Sequence, residues 1–97
     1  MTDLLPDKDV QQWLSEHDAW RLDERGALRR GVTLDDFAHA LLFVNALGFA
    51  AERRDHHPDV LVHGYKHVDV TLLSHDIEGI TPRDLRLAED IDRLLDG

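Results

Sequence analysis

The sequence predicts an α+β fold: a two-layer sandwich in which a four-stranded antiparallel sheet carries three helices on one face, in the order α-β-β-α-β-β-α. Three observations support this. Stretches with apolar residues every three to four positions begin near Pro6, Thr33 and Thr81. Between them the chain supplies short extended runs in adjacent pairs, as hairpins do, rather than single strands alternating with helices. In the second pair, apolar and polar side chains alternate, the pattern of an antiparallel strand with one wet face.

From Pro6 to His17, the residues Val10, Trp13, Leu14 and His17 share i, i+3, i+4, i+7 spacing and predict a short amphipathic helix. Trp20-Arg21-Leu22 and Ala27-Leu28-Arg29-Arg30-Gly31-Val32 flank Asp23-Glu24-Arg25-Gly26. Charged residues and a glycine between two extended runs predict a hairpin. Thr33 and Asp36 have capping-box spacing and open the central helix. Phe37, Ala40, Leu41, Val44, Gly48 and Ala51 form one stripe along it, and Phe43, Ala46, Leu47 and Ala50 a second. A helix apolar on two sides is expected to be buried on two sides, the second of them a subunit interface in so small a chain. The pattern runs to about Arg54 and delivers Glu52 and His56 near the helix end. Val60-Leu61-Val62-His63 and Val68-Asp69-Val70-Thr71-Leu72-Leu73 form the second strand pair, with Gly64 to Lys66 as the turn. Val68, Val70 and Leu72 face one way, and His67, Asp69, Thr71 and Leu73 the other. Thr81 is a good N-cap for the last helix, Pro82 fits its first position, and Asp84 closes a capping box. Leu87, Ala88, Ile91, Leu94 and Leu95 form its apolar face.

A length of 97 residues is one domain, expected over 1–97 without linker or repeat. A chain this short is marginally stable alone, and burying more surface in an oligomer is one remedy. There are no cysteines, which excludes disulfides and thiolate metal sites. Met1-Thr2-Asp3-Leu4-Leu5-Pro6-Asp7 lacks the basic region and apolar run of a signal peptide, and no apolar stretch reaches the length of a membrane span. The expectation is a soluble cytoplasmic protein. The net charge of −9 argues against binding nucleic acid or an anionic membrane.

The chemistry concentrates in His56-His57-Pro58 and His75. Histidine is the side chain whose ordinary pKa lies nearest neutrality, so paired imidazoles suit a base and an acid in one place. Pro58 biases His57 toward extended backbone and places the pair where a helix stops. Each residue also has a plainer reading. A histidine at a helix end often only satisfies carbonyls or the dipole. Asp84 is accounted for as a capping residue, Tyr65 as strand or turn packing, and Glu52 as a surface carboxylate. His17, His39, His63 and His67 read as a helix face, a solvated position and a half-wet strand. A metal site from His56, His57, His75 and a carboxylate is conceivable, but adjacent side chains of an extended chain point apart, so no metal is expected.

The full set, Glu52-x3-His56-His57-Pro58-x6-Tyr65-x9-His75-x8-Asp84, resembles the signature of the pterin-4a-carbinolamine dehydratase family. Leu34-Asp35-Asp36-Phe37, Phe43-Val44-Asn45, Ala51-Glu52, Val70-Thr71-Leu72, Ser74-His75-Asp76, Gly79-Ile80-Thr81 and Asp84-Leu85-Arg86-Leu87-Ala88 are similar to its blocks, from about Trp20 to Ile91. The chain departs at Val32-Thr33-Leu34, where relatives carry more aromatics, at Ser74, where threonine is common, and in the longer loop from Pro58 to Tyr65. The resemblance implies dehydration of 4a-hydroxytetrahydropterin to quinonoid dihydropterin, part of the recycling of tetrahydrobiopterin. It implies His56 and His75 as acid/base groups, His57 as a catalytic group that mainly binds and orients the ring, and Glu52, Asp84 and Ser74 as substrate-binding. It implies no metal or other cofactor, a homodimer or homotetramer, and an aromatic amino acid hydroxylase or another protein as a possible partner. The alternative is a non-catalytic assembly module on the same fold, a transcription-factor dimerisation partner or a carboxysome assembly factor.

Overall fold

Alternation on the last strand organises the sheet. In the computed structural model, which describes residues 4–96, Val68, Val70 and Leu72 are fully buried while His67, Asp69 and Thr71 between them stay half-exposed. The start expected to lack a leader, Met1 to Asp7, and the expected 1–97 domain both extend partly outside the described residues. The elements are α1 (Asp7–Glu16), β1 (Arg21–Leu22), β2 (Leu28–Thr33), α2 (Phe37–Arg54), β3 (Asp59–His63), β4 (His67–Leu72) and α3 (Pro82–Asp96), the expected order. The strands form one antiparallel sheet in the order β1-β2-β4-β3. Register aligns Leu28 with Leu72, Val32 with Val68, Val60 with Val70 and Val62 with Val68, so the apolar set shares one face. The helices cover that face. Their core residues are Val10 and Trp13 of α1, Ala40, Phe43, Leu47, Ala50 and Ala51 of α2, and Leu87, Ala88 and Ile91 of α3. Among the described residues, no helix is long and apolar enough to cross a membrane.

Two expectations are corrected. Thr33 does not cap α2: it is the last residue of β2, paired with His67, and Leu34 N–H still donates to the Lys66 carbonyl at 2.9 Å. The helix starts only after the chain leaves the sheet, so Asp36 is the N-cap and its carboxylate accepts the His39 N–H at 2.8 Å. That bond, with a second from the His39 ring, holds the Asp36 carboxyl below its usual range, and the carboxylate raises the His39 imidazole. Nor is α2 buried on two sides within the chain. Its buried positions come from both predicted stripes, which are two edges of one arc, and Phe37, Leu41, Leu42 (63% exposed) and Phe49 (68% exposed) face out.

Polar ties lock the helices over the sheet. Trp13 Nε1 donates to Glu89 at 2.9 Å, and Trp20 Nε1 to Asp92 at 2.8 Å. Arg30, on the covered face of β2, also donates to Asp92, and Arg54 of α2 donates to Asp90 of α3. The Arg54 guanidinium holds the Asp90 carboxyl below the usual carboxylate range.

Leu87 is fully buried at the centre of this core. Leu87→Ala is expected to lower unfolding free energy in urea by about 2–5 kcal/mol, against roughly 0.5 or less for exposed Arg86→Ala. A loss at Leu87 no larger than at Arg86 would show that α3 does not anchor the core.

Candidate active site

Where α2 stops decides which histidine goes inside. Asp55 takes the left-handed conformation (φ 49°, ψ 44°). Its N–H donates to the Glu52 carbonyl at 3.1 Å, and His56 N–H to the Ala51 carbonyl at 3.2 Å. These are the two bonds of a Schellman stop, with aspartate where glycine is usual. The reversal turns His56 inward, where it is 7% exposed, and leaves His57 exposed before Pro58 leads into β3 at Asp59.

His56 meets Asp84, which has no exposed surface. His56 Nε2 lies 2.6 Å from Asp84 Oδ1. The other oxygen, Oδ2, accepts the Ser74 hydroxyl at 2.8 Å and the Thr81 N–H at 2.9 Å. Ser74 uses its single proton there, so the Thr81 hydroxyl, 2.8 Å away, donates to Ser74 Oγ. Thr81 Oγ1 in turn accepts the Arg83 N–H at 3.2 Å. The capping box predicted at Thr81 and Asp84 is therefore present, and its carboxylate has a second oxygen left for an imidazole. A carboxylate accepts only, so the His56 proton is placed on Nε2, leaving Nδ1 as the nitrogen free to exchange one.

His57 Nε2 bonds Glu52, both side chains being exposed. His75 follows Ser74 in a tight loop closed by Ser74 N–H to the Gly79 carbonyl at 2.9 Å, and its side chain is exposed. That loop is latched by Asp76, which accepts from Arg83 at 2.7 Å; the guanidinium holds the Asp76 carboxyl below its usual range. Asp59 pairs with Thr71, so the residues just before β3 and just after β4 lie at one end of the sheet. Antiparallel register, with the bonds to Asp84, thus brings the segments that carry Glu52, His56, His57, Ser74, His75 and Asp84 to one end of the sheet. Tyr65 is not among them: it sits in the turn at the far end of β3, about 17 Å of strand away. Thr81, Asp76 and Arg83 were not expected at the site. The Thr81 cap was a usable signal, whereas the Asp76–Arg83 latch depends on a loop shape that spacing does not encode.

A sequence profile described as pterin 4 alpha carbinolamine dehydratase matches residues 3–94. The chain belongs to this family. A relative from Rhodospirillum rubrum, provisionally named a pterin-4-alpha-carbinolamine dehydratase, is 38% identical over 96 residues, 98% of this chain and 99% of its own. One from Acidobacterium capsulatum with the same provisional name is 39% identical over 95 residues, 98% of this chain and all of its own. A crystal structure titled transcriptional coactivator/pterin dehydratase, from Brucella melitensis, superimposes with a TM-score of 0.87 at 32% identity, over 94% of this chain and 97% of that one. A pterin dehydratase-like protein described as a RuBisCO assembly factor in the alpha-carboxysome shares the fold, with a TM-score of 0.66 at 22% identity over 80% of this chain and 90% of that one. The dehydratase family profile spans every residue of the histidine cluster.

Removing Asp84 strands the buried His56, Ser74 and Thr81 donors together. Asp84→Ala is expected to destabilise the fold by about 3–5 kcal/mol in denaturant unfolding, and Ser74→Ala by about 1–3. Equal, small losses in both would mean that the carboxylate is not the hub of the network.

Proposed function

We propose that this protein dehydrates 4a-hydroxytetrahydropterin to quinonoid dihydropterin at the end of the sheet whose flanking segments carry His56, His57 and His75. Family membership supports the reaction class, and the observation that carries the site is a buried, carboxylate-anchored imidazole, His56, next in sequence to exposed His57 and tied through Asp84 to the segment that carries exposed His75. In the reaction the C4a–O bond breaks, the hydroxyl leaves as water, N5 loses its proton and a C4a=N5 double bond forms. One group must protonate the leaving oxygen and another must accept the N5 proton, a task for imidazoles near neutrality. No electron changes hands. The carbinolamine would be supplied by pterin-dependent hydroxylation of an aromatic amino acid.

On the ground of burial we assign the work differently from the sequence expectation. In this reading His57 and His75 exchange the protons, because both are open to solvent. Glu52, bonded to His57 Nε2, sets that ring's orientation and leaves Nδ1 for the substrate. His56 presents its free Nδ1 edge to the ring while Asp84 holds Nε2. Ser74 acts on the substrate only through Asp84, its hydroxyl being buried and fully engaged. His57→Ala and His75→Ala should each slow dehydration of freshly generated 4a-hydroxytetrahydropterin, followed by ultraviolet absorbance, about tenfold to ten-thousandfold with stability unchanged. His56→Ala should lose rate and stability together. Near-wild-type turnover by the His57→Ala/His75→Ala double variant would sink the assignment.

A second role, assembly with copies of itself or with another protein, is favoured by the exposed Phe37, Leu41, Leu42 and Phe49 on α2, since large apolar patches mark interaction surfaces. Sedimentation at micromolar concentration is expected to give the mass of a dimer or tetramer, reduced in Leu42→Glu/Phe49→Glu. A monomer in the unaltered protein would remove the self-assembly reading and leave only a foreign partner.

A further inference from the structure

In a chain with a net charge of −9, the groove between the end of α2 and the last turns of α3 has the opposite local sign. It is lined by Ala50, Arg53, Arg54, Asp90, Arg93 and Leu94 and is an open groove of about 440 Å³. Two guanidiniums from two helices converge on one carboxylate, and a third, that of Arg53, lines the same groove. Arg54 reaches Asp90 through Nε and through Nη2, the latter at 3.1 Å, and Arg93 reaches it through one nitrogen. Arg53 has no ion partner among the described residues. Neighbouring carboxylates are engaged elsewhere, Glu52 by His57 and Glu89 by Trp13.

Arg53 and Arg54 lie in the last turn of α2, where cations complement the helix dipole. Arg93, in the last turn of α3, does the same for that helix, so two helix ends bring their cations to one groove. Each guanidinium has five N–H donors, and Asp90 occupies few of them. The donors left over match an acceptor with several charged oxygens, for which arginine forks are the preferred partners. Ala50 and Leu94 supply an apolar wall for the body of such a molecule.

We propose that this groove binds a small phosphomonoester, its phosphate held by Arg53, Arg54 and Arg93 and its organic part against Ala50 and Leu94. The site is separate from the histidine cluster and stands whether or not the dehydratase reading does. Asp90 is its built-in competitor, a carboxylate occupying the same donors when the groove is empty of ligand.

The test is a titration of the full chain with phenyl phosphate and with inorganic phosphate, followed by ¹H–¹⁵N correlation spectra. Saturable shifts at Ala50, Arg53, Arg93 and Leu94 are expected, with phenyl phosphate tighter than inorganic phosphate. Arg53→Ala and Arg93→Ala should each weaken binding about tenfold; both side chains are exposed, so the variants keep the wild-type spectrum elsewhere. Asp90→Asn should tighten binding several-fold by removing the competitor. Linear, non-saturating shifts in the unaltered protein would overturn the proposal. So would saturation unaffected by both arginine variants, or weaker binding in an Asp90→Asn variant that retains its fold.

Discussion

The carboxylate of Asp84 is the point on which the rest of the structure depends. It lies in the first turn of α3, accepts from Thr81 before that helix and from Ser74 after β4, and reaches His56 beyond the end of α2. Three separate segments are pinned to one buried group. A buried carboxylate is tolerable only when its oxygens are matched by donors, and losing one partner leaves an uncompensated polar group in the interior. The fold and the candidate site therefore share a support, and disturbing the chemistry at His56 disturbs the packing of α3 as well.

Around that hub the backbone does the positioning. The Schellman stop of α2 converts two sequence neighbours into one buried and one exposed imidazole. The antiparallel pairing of β3 with β4 brings the chain after α2 beside the loop that carries His75. The Asp76–Arg83 pair ties that loop to the start of α3. Groups held by secondary structure and by ties of this kind need less reordering when a substrate arrives, which is the condition for efficient proton transfer.

The outer surface follows a different logic. The covered side of the sheet is closed by aliphatic side chains and by tryptophan and arginine bonds to Glu89, Asp90 and Asp92 of α3. The opposite side of α2 leaves four large apolar side chains in water. A chain of this size buries a limited share of its surface, so unused apolar area is costly to keep unless something covers it.

Much of this was legible beforehand. The seven elements and their order follow from periodicity, because side chains repeat every 3.6 residues on a helix and every two on a strand. The α3 start was readable from Thr81-Pro82-Arg83-Asp84, since capping depends on neighbours in the chain. The family was readable from the spacing of Glu52, His56, His57, His75 and Asp84. The N-cap of α2 was misplaced at Thr33 because the sheet, a long-range pairing, claimed that residue first. The inward turn of His56 was hidden because Asp55 adopts a conformation that its identity does not announce. The double duty of Asp84 was equally hidden: a capping residue is recognised locally, but which imidazole takes its second oxygen depends on how α2, β4 and α3 pack. Sequence alone determined the elements and the chemical inventory, which are local properties of the chain. Tertiary structure alone decided which of those groups are buried, which are open to a substrate and which hold the others in place, because burial and partnership are set by segments distant in sequence.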